Sequence, residues 1–517
     1  MSTITKTSKK SFFKLVFSRT LVVTVLLLLE LALVLMSVMW LGKNMYILIG
    51  SSRIISFGMI VYLINNRQNA NVKLVWILLI LLLPLFGICL YWFVKLDFGS
   101  RMMKKRIVEI QAQTKNLLVQ KQEILNKVRD EKEYELRNIA RYIKNTGGYN
   151  LYQDSEVKYY SLGEYMFLDM LLALKEAKKF IFIEYFIIEQ GKMWNSIVEI
   201  LKQKVLEGVE VRVMYDGTCE YTTLDRDYPK ELILHGIKAQ TFSPVTPFVS
   251  THYNNRDHRK IMVIDGKIGF TGGVNLADEY INEIVKHGHW KDTGIRIMGD
   301  AVKTLTLMFL QSWNLFDYES KEYSKYLDIS HDIKNDGYII PYGDEPFDNE
   351  LLGQNVYIDI INNAKEYVYI MTPYLIIDNE MTAAMKLAAI KGVDIRLILP
   401  YIPDKETPFA LAHSHYAELM DAGVKIYEYN PGFVHAKMFI SDDIKAVVGT
   451  INLDYRSLYH HFENAVYMYK MDVIKDIKED FEDTFKKSHI VSHRELKNDK
   501  LTRKIIGKLT KIFAPLL

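Results

Sequence analysis

Apolar residues follow two different patterns along this chain. Before residue 98 they run in long blocks, and after residue 150 they come in short bursts between polar stretches. Residues 21–42, LVVTVLLLLELALVLMSVMWLG, hold a single charge, Glu30, and residues 74–94, LVWILLILLLPLFGICLYWFV, hold none. A bilayer core takes about 20 apolar residues of helix, so each block predicts a transmembrane helix. The first is too long for a signal-peptide core, and no small-residue cleavage site follows it. A weaker run, 45–64, carries Arg53 and three serines. Lys6, Lys9, Lys10, Lys14 and Arg19 precede these runs; Lys95, Arg101, Lys104, Lys105 and Arg106 follow them. Both flanks read as cytoplasmic, which asks for an even number of spans. With three candidates, either 45–64 does not cross or one flank breaks the rule. The expectation is a membrane anchor over residues 1–98.

Residues 99–149 are polar, mixed in charge and poor in helix breakers until Gly147-Gly148, which predicts a solvated helical linker. Beyond it the pattern repeats. AKKFIFIEYFII (177–188) matches AKEYVYIMTPYLII (364–377), GVEVRVM (208–214) matches GVDIRLI (392–398), and GIKAQTF (236–242) matches GVKIYEY (423–429), all at nearly the same offset. These bursts are β-branched and aromatic, hence buried strands, with helix-like stretches between them. Such alternation predicts a mainly parallel sheet covered by helices, used twice: one lobe over 150–330 and another over 331–493. Residues 494–517 close the chain. In this tail Leu501, Ile505, Ile506, Leu509, Ile512 and Phe513 fall at helical spacing among Lys497, Lys500, Arg503, Lys504, Lys508 and Lys511. A basic amphipathic helix lying on an anionic bilayer is the expectation.

Composition narrows the class. Of 517 residues, 65 are Lys or Arg and 62 are Asp or Glu, a net charge of +3, which excludes a globally basic nucleic-acid coat. Apolar content of 49% excludes a disordered chain. The 2 cysteines, Cys89 and Cys219, cannot build a disulfide framework or a Cys-rich zinc site.

The chemistry lies in a repeated word. His258-Arg259-Lys260 leads to Asp265, and His435-Ala436-Lys437 leads to Asp442, so both copies read H-x-K-x4-D. Each is followed, at the same distance, by an asparagine: Asn275 and Asn452. Chance starts this pattern at roughly one histidine in 400, and the chain has 13. His and Lys at i and i+2 on a strand share a face, and Asp265-Gly266 is a hairpin turn signal. Lys and the Asn amide nitrogens are donors, suited to phosphate oxygens and to charge building on phosphorus. One imidazole can attack phosphorus while the other exchanges protons with the leaving and entering alcohols. The sequence holds no His-Glu-x-x-His word and no carboxylate cluster with metal spacing, so no metal and no cofactor are expected.

These residues resemble the phospholipase D superfamily and, within it, bacterial cardiolipin synthases. The likeness is carried by KLVWILLILLLPLFGICLYWF, EYFII, NNRDHRKIMVIDGKIGFTGGVNLADEY, HWKDTG, GVKIYEYNPGFVHAKMFISDD, GTINLDYRS and the final FAPLL. It implies a two-lobed α/β phospholipase D-like fold with duplicated mixed or parallel sheets, preceded by N-terminal transmembrane helices. It implies one site at the lobe interface, with His258, Lys260 and Asp265 from one half and His435, Lys437 and Asp442 from the other. Asn275 and Asn452 would bind substrate phosphate, and Asp292 and Glu463 would orient the histidines. In this family the motif aspartates usually hold a turn rather than touch substrate. The family often has Phe where this chain has Leu458, and Asn where it has His461. The implied reaction joins two phosphatidylglycerols into cardiolipin and glycerol through a phosphohistidine, on His258 by the same resemblance. The implied place is the bacterial cell membrane, multi-pass, with membrane lipids as partners and no nucleic acid. A phospholipase D-type hydrolase and a non-catalytic lipid-binding scaffold are the alternatives.

Overall fold

The computed structural model describes residues 43–95, 98–244, 255–317, 322–329, 337–348 and 350–516, with a few isolated positions besides. The chain divides into two compact units.

The first unit includes three helices before Phe98: Lys43–Asn65, Ala70–Leu82 and Pro84–Lys95. Met59, Leu63, Trp76, Ile80 and Tyr91 form their small core. The expected span over 74–94 is two helices of 13 and 12 residues, not one. Pro84 explains the break, since it lacks an N–H and its ring collides with the preceding turn. At 1.5 Å per residue each piece is about 20 Å long, short of a ~30 Å hydrocarbon core. The two pieces pack together, and a Cβ on Gly87 would come within 2.9 Å of the Ile80 backbone. The 45–64 run lies in a single helix of 23 residues, long enough but diluted by Arg53 and its serines. Among the described residues no helix is long and apolar enough to cross a membrane. The expected span over 21–42 lies outside the described residues, apart from isolated positions.

The second unit, Arg106–Pro244 with Asn255–Lys511, carries two sheets. The first is built from β1 (Ser155–Tyr160), β2 (Phe180–Tyr185), β3 (Glu210–Asp216), β4 (Lys238–Phe242), β5 (Lys260–Ile264), β6 (Ile268–Gly272) and β8 (Gly294–Gly299), while the short β7 (His289–Lys291) stands apart from it. The second is built from β9 (Tyr338–Asp344), β10 (Tyr367–Met371), β11 (Asp394–Pro400), β12 (Lys425–Tyr429), β14 (Met438–Ser441), β15 (Lys445–Gly449), β16 (Glu463–Tyr469) and β17 (Ser488–Ile490), with β13 (Gly432–Val434) outside it.

Across the first sheet the order is β1-β8-β6-β5-β2-β3-β4, and across the second β9-β16-β15-β14-β10-β11-β12-β17. One order is used twice, with β17 added at an edge. The three repeats found in the sequence are β2 and β10, β3 and β11, β4 and β12. Within the two large sheets only these strands pair with one another in parallel, and the remaining pairings are antiparallel, so the sheets are mixed rather than mainly parallel. The antiparallel half comes from the motif hairpins, whose three-residue connections reverse the chain directly. Asp265 and Gly266 have φ of 54° and 66°, and Asp442 and Asp443 have 55° and 56°, the doubly left-handed form that matches strand twist.

Helices cover both faces, so the central strands are buried throughout. Phe309 of helix Val302–Trp313 stacks on Phe182 at 4.6 Å, and Tyr357 of helix Leu352–Asn363 stacks on Phe439 at 4.0 Å. The expected solvated linker is instead three helices, Phe98–Thr114, Gln122–Asp130 and Tyr134–Gly147. Ile124, Val128, Leu136, Ile139, Ala140 and Ile143 join the second lobe's core. Their charged neighbours hide a genuine apolar stripe at three- and four-residue spacing. The tail forms a helix over Leu501–Phe513. Its narrow side, at Gly507, meets helix Glu406–Asp421, where a Cβ would fall 2.3 Å from the Ala410 carbonyl oxygen. Leu501, Ile505, Ile506 and Leu509 are left exposed.

Candidate active site

Each motif histidine sits just outside a strand. His258 precedes β5 and is tied by its N–H to the Phe462 carbonyl at 2.9 Å. His435 follows β13, and its N–H donates to the Lys291 carbonyl at 2.7 Å. β13 pairs in parallel with β7, so a two-stranded ribbon joins the lobes beside the imidazoles. A second tie runs from Asn464 Nδ2 to Thr271 Oγ1 at 2.8 Å.

The two halves exchange carboxylates. His258 Nδ1 lies 2.9 Å from Glu463 Oε2, and His435 Nδ1 lies 2.6 Å from Asp292 Oδ2. Glu463 opens β16 in the second lobe, and Asp292 follows β7 in the first. An ionised carboxylate can only accept, so Nδ1 carries the proton in each ring and Nε2 keeps its lone pair. Thr450 Oγ1 also donates to Glu463 Oε2, and the Thr293 N–H donates to Asp292 Oδ1 at 2.8 Å. Gly273 makes room for Asp292: a Cβ there would stand 2.0 Å from Oδ1.

Lys260 and Lys437 are buried and turn back onto their own motif. Lys260 Nζ donates to the His258 carbonyl at 2.6 Å; Lys437 Nζ donates to the His435 carbonyl and lies 2.8 Å from its Nδ1. Each ammonium has further N–H bonds to offer. Asn275 accepts from the Ile187 N–H at 3.1 Å and donates to the Tyr280 hydroxyl at 2.7 Å, and the Tyr280 ring lies 5.3 Å from that of His435. Asn452 is buried, with its Oδ1 lacking a hydrogen-bond partner.

Asp265 and Asp442 stand apart from these groups. Asp265 accepts from the N–H groups of Lys178, Lys179 and Phe180, and Asp442 from those of Lys365, Glu366 and Tyr367. Asp265 is separated from Lys260 by the length of β5, about 16 Å at 3.3 Å per residue. As catalytic members of the motif they are therefore set aside: their carboxylates hold the hairpin turn against the start of the neighbouring strand.

Burial dominates the electrostatics. It lowers His258 to about 3 and His435 to about 4, with Lys260 and Lys437 nearby adding to the effect. Burial likewise lowers Lys260 to about 8 and Lys437 to about 7. For Glu463 and Asp292 burial opposes ionisation, but the attraction and hydrogen bonds of the facing imidazoles outweigh it and hold both below the usual carboxylate range. The resting pairs are thus neutral imidazole beside ionised carboxylate.

Sequence reasoning missed Thr450, Tyr280, Trp290 and Phe186. The ring of Trp290 lies 5.5 Å from His435, and that of Phe186 lies 4.9 Å from His258. All four lie inside or beside motif words, GTIN, LADEY, HWKD and EYFII, but their roles depend on contacts made across the lobes or across a turn.

Comparisons with known proteins place the chain in a family. The family described as cardiolipin synthase, PLD-like domain, matches residues 170–287 and 357–485, and that of the phospholipase D-nuclease N-terminal segment matches 54–95. A cardiolipin synthase of Alkalihalophilus pseudofirmus is 33% identical over 90% of this chain and 92% of its own length. Cardiolipin synthase 1 of Staphylococcus aureus is 31% identical over 89% and 94%. An uncharacterized protein of Streptococcus mutans is 52% identical over 89% of this chain and all of its own length. Among solved structures, a phosphatidylserine synthase of Haemophilus influenzae shares the fold, with a TM-score of 0.57 at 14% identity over 74% of this chain and 98% of that one. With its duplicated sheet order, paired motifs and full-length relatives, the chain belongs to the cardiolipin synthase family of phospholipase D-like proteins.

Proposed function

We propose that the protein is a cardiolipin synthase, a phosphatidyltransferase that joins two phosphatidylglycerol molecules and releases glycerol. The observation that carries the reading is the reciprocal pair of imidazole–carboxylate contacts, His258 with Glu463 and His435 with Asp292, set beside two buried lysines. His258 Nε2 attacks the phosphorus of the first phosphatidylglycerol, forming the N–P bond as the P–O bond to the headgroup glycerol breaks. His435, protonated on Nε2 as the phosphodiester brings its negative charge into the site, gives that proton to the departing glycerol oxygen. It then takes a proton from the primary hydroxyl of the second phosphatidylglycerol, whose oxygen replaces His258 on phosphorus. Lys260, Lys437, Asn275 and Asn452 hold the phosphate oxygens as charge gathers on them. No nucleotide is consumed, since one phosphodiester replaces another.

The proposal places the chain at the bacterial cell membrane, with 21–42 as a crossing span and the paired helices of 70–95 as an apolar anchor. Leu74, Leu81 and Leu82 are exposed on that anchor, which favours lipid around it. A membrane face also presents both substrates at high local concentration.

Lipid analysis of a cardiolipin-free bacterial host expressing the chain tests the reading. Cardiolipin is expected. With the purified protein and phosphatidylglycerol alone, cardiolipin and glycerol mean transfer, phosphatidic acid means water is the acceptor, and no product means a binding role.

A further inference from the structure

The two halves differ at the residue two places before the orienting carboxylate. Beside Asp292 it is Trp290; beside Glu463 it is His461. The His461 ring lies 5.6 Å from that of His258, its side chain is 10% exposed, and its Nδ1 stands 3.6 Å from Glu463 Oε1, beyond hydrogen-bonding range. Nδ1 of His461 and Oε1 of Glu463 are both buried without a hydrogen-bond partner. Nothing in the transfer reaction uses His461. His461 Nδ1 and Glu463 Oε1 thus face one another beside the His258 ring, in a buried site with room between them.

We propose that His258, His461 and Glu463 form an inhibitory binding site for a divalent transition-metal ion of the Zn2+ type. Among the described residues this is the one group of three such side chains whose ligand atoms all lie within 4.8 Å of one another. Two imidazole nitrogens and one carboxylate oxygen suit Zn2+ and its neighbours rather than Mg2+ or Ca2+, which prefer all-oxygen sites. The other half has no counterpart, because Trp290 offers no ligand atom.

Occupancy removes the reactive lone pair whichever nitrogen of His258 is used. Metal on Nε2 occupies that lone pair directly. Metal on Nδ1 moves the proton from Nδ1 to Nε2, so the ring stays neutral but can no longer attack phosphorus. Glu463 is drawn onto the ion in either case. The inhibitory consequence rests on the transferase reading; the binding itself does not.

The test uses the full chain, purified in detergent and freed of metal with EDTA. Calorimetry with Zn2+ is expected to show one ion per chain, and Co2+ in its place to give a visible absorption band. Zn2+ should abolish cardiolipin formation over the same concentration range, and EDTA should restore it. His461→Asn is expected to weaken Zn2+ binding at least about tenfold, to remove the Co2+ band and to release the inhibition. His461→Ala provides a second variant, and a melting curve for each shows that it is folded. Absence of stoichiometric binding to the wild type, or unchanged affinity in both folded variants, overturns the site. Should the protein make no cardiolipin at all, calorimetry and the Co2+ spectrum still decide whether the site exists.

Discussion

Glu463 fixes the ring of His258 although 205 residues separate them in the chain. The second lobe thus sets the tautomer of the first lobe's imidazole, and Asp292 returns the arrangement for His435. In the proposed transfer, chemistry at one phosphorus therefore requires both lobes at every step.

His258→Ala and His435→Ala should each lower synthesis by about 10³-fold or more, because nucleophile and proton carrier are both single groups. Glu463→Gln should leave KM close to normal and cut kcat by roughly 10²-fold, since an amide no longer enforces the tautomer. Steady-state kinetics with phosphatidylglycerol vesicles check all three. A trapped phosphoenzyme should map to His258; recovery of the phosphate on His435 would reverse the two roles.

The lysines predict a pH limb. Lys437 is lowered to about 7 and Lys260 to about 8, so each is cationic below its value and neutral above it. A phosphodiester anion binds the cationic forms. In the free enzyme kcat/KM should fall as pH rises through 7 to 8, while kcat, which reports the complex, falls only at higher pH because the bound anion favours the ammonium. A kcat/KM profile flat from about pH 6.5 to 9.5 would take the lysines out of phosphate binding.

Gly273 gives a steric prediction. In Gly273→Ala the new methyl would meet Asp292 Oδ1 at 2.0 Å and must push the carboxylate off its line to His435. Activity should drop at least about tenfold. Asp265→Asn, which disturbs only the tie between the turn and the start of β2, should lower the melting temperature more than it lowers kcat.

A chelator should leave transfer at or above its untreated level, because the proposed chemistry places lysines and amides, not an ion, on the phosphate. Activity lost on chelation and restored by one divalent ion would contradict both the mechanism and the inhibitory site.

The tail makes a prediction about surfaces. A fragment running from Arg106 to the C-terminus keeps the helices that complete the second lobe's core and should bind anionic vesicles in a salt-sensitive way. Ile505→Asp with Leu509→Asp, both on exposed positions, should weaken that binding without lowering the melting temperature. Equal binding by the double variant would move the membrane contact elsewhere.

Much of this was legible beforehand because it is local. The H-x-K-x4-D words, the Asp-Gly turn and the strand repeats depend on residues a few places apart, and β2 and β10 fall where the repeats put them. Strand direction was not legible, since the same β-branched bursts serve parallel and antiparallel neighbours. The helices at 122–147 were misjudged because their apolar stripe is diluted by charge in a linear reading. The 74–94 run looked like one span because a hydropathy average passes over Pro84. The importance of His461 was hidden for a different reason: its partners are brought to it by the other lobe.

The exchange of carboxylates also bears on how such a chain came to exist. A single lobe that folded alone would carry a histidine without its carboxylate and a carboxylate without its histidine, so an ancestral half could have worked only as a pair of identical copies. Once the two were joined in one polypeptide, each half was free to change without imposing the change on its twin. Trp290 on one side and His461 on the other are a difference of that kind, made in one half and not in its twin.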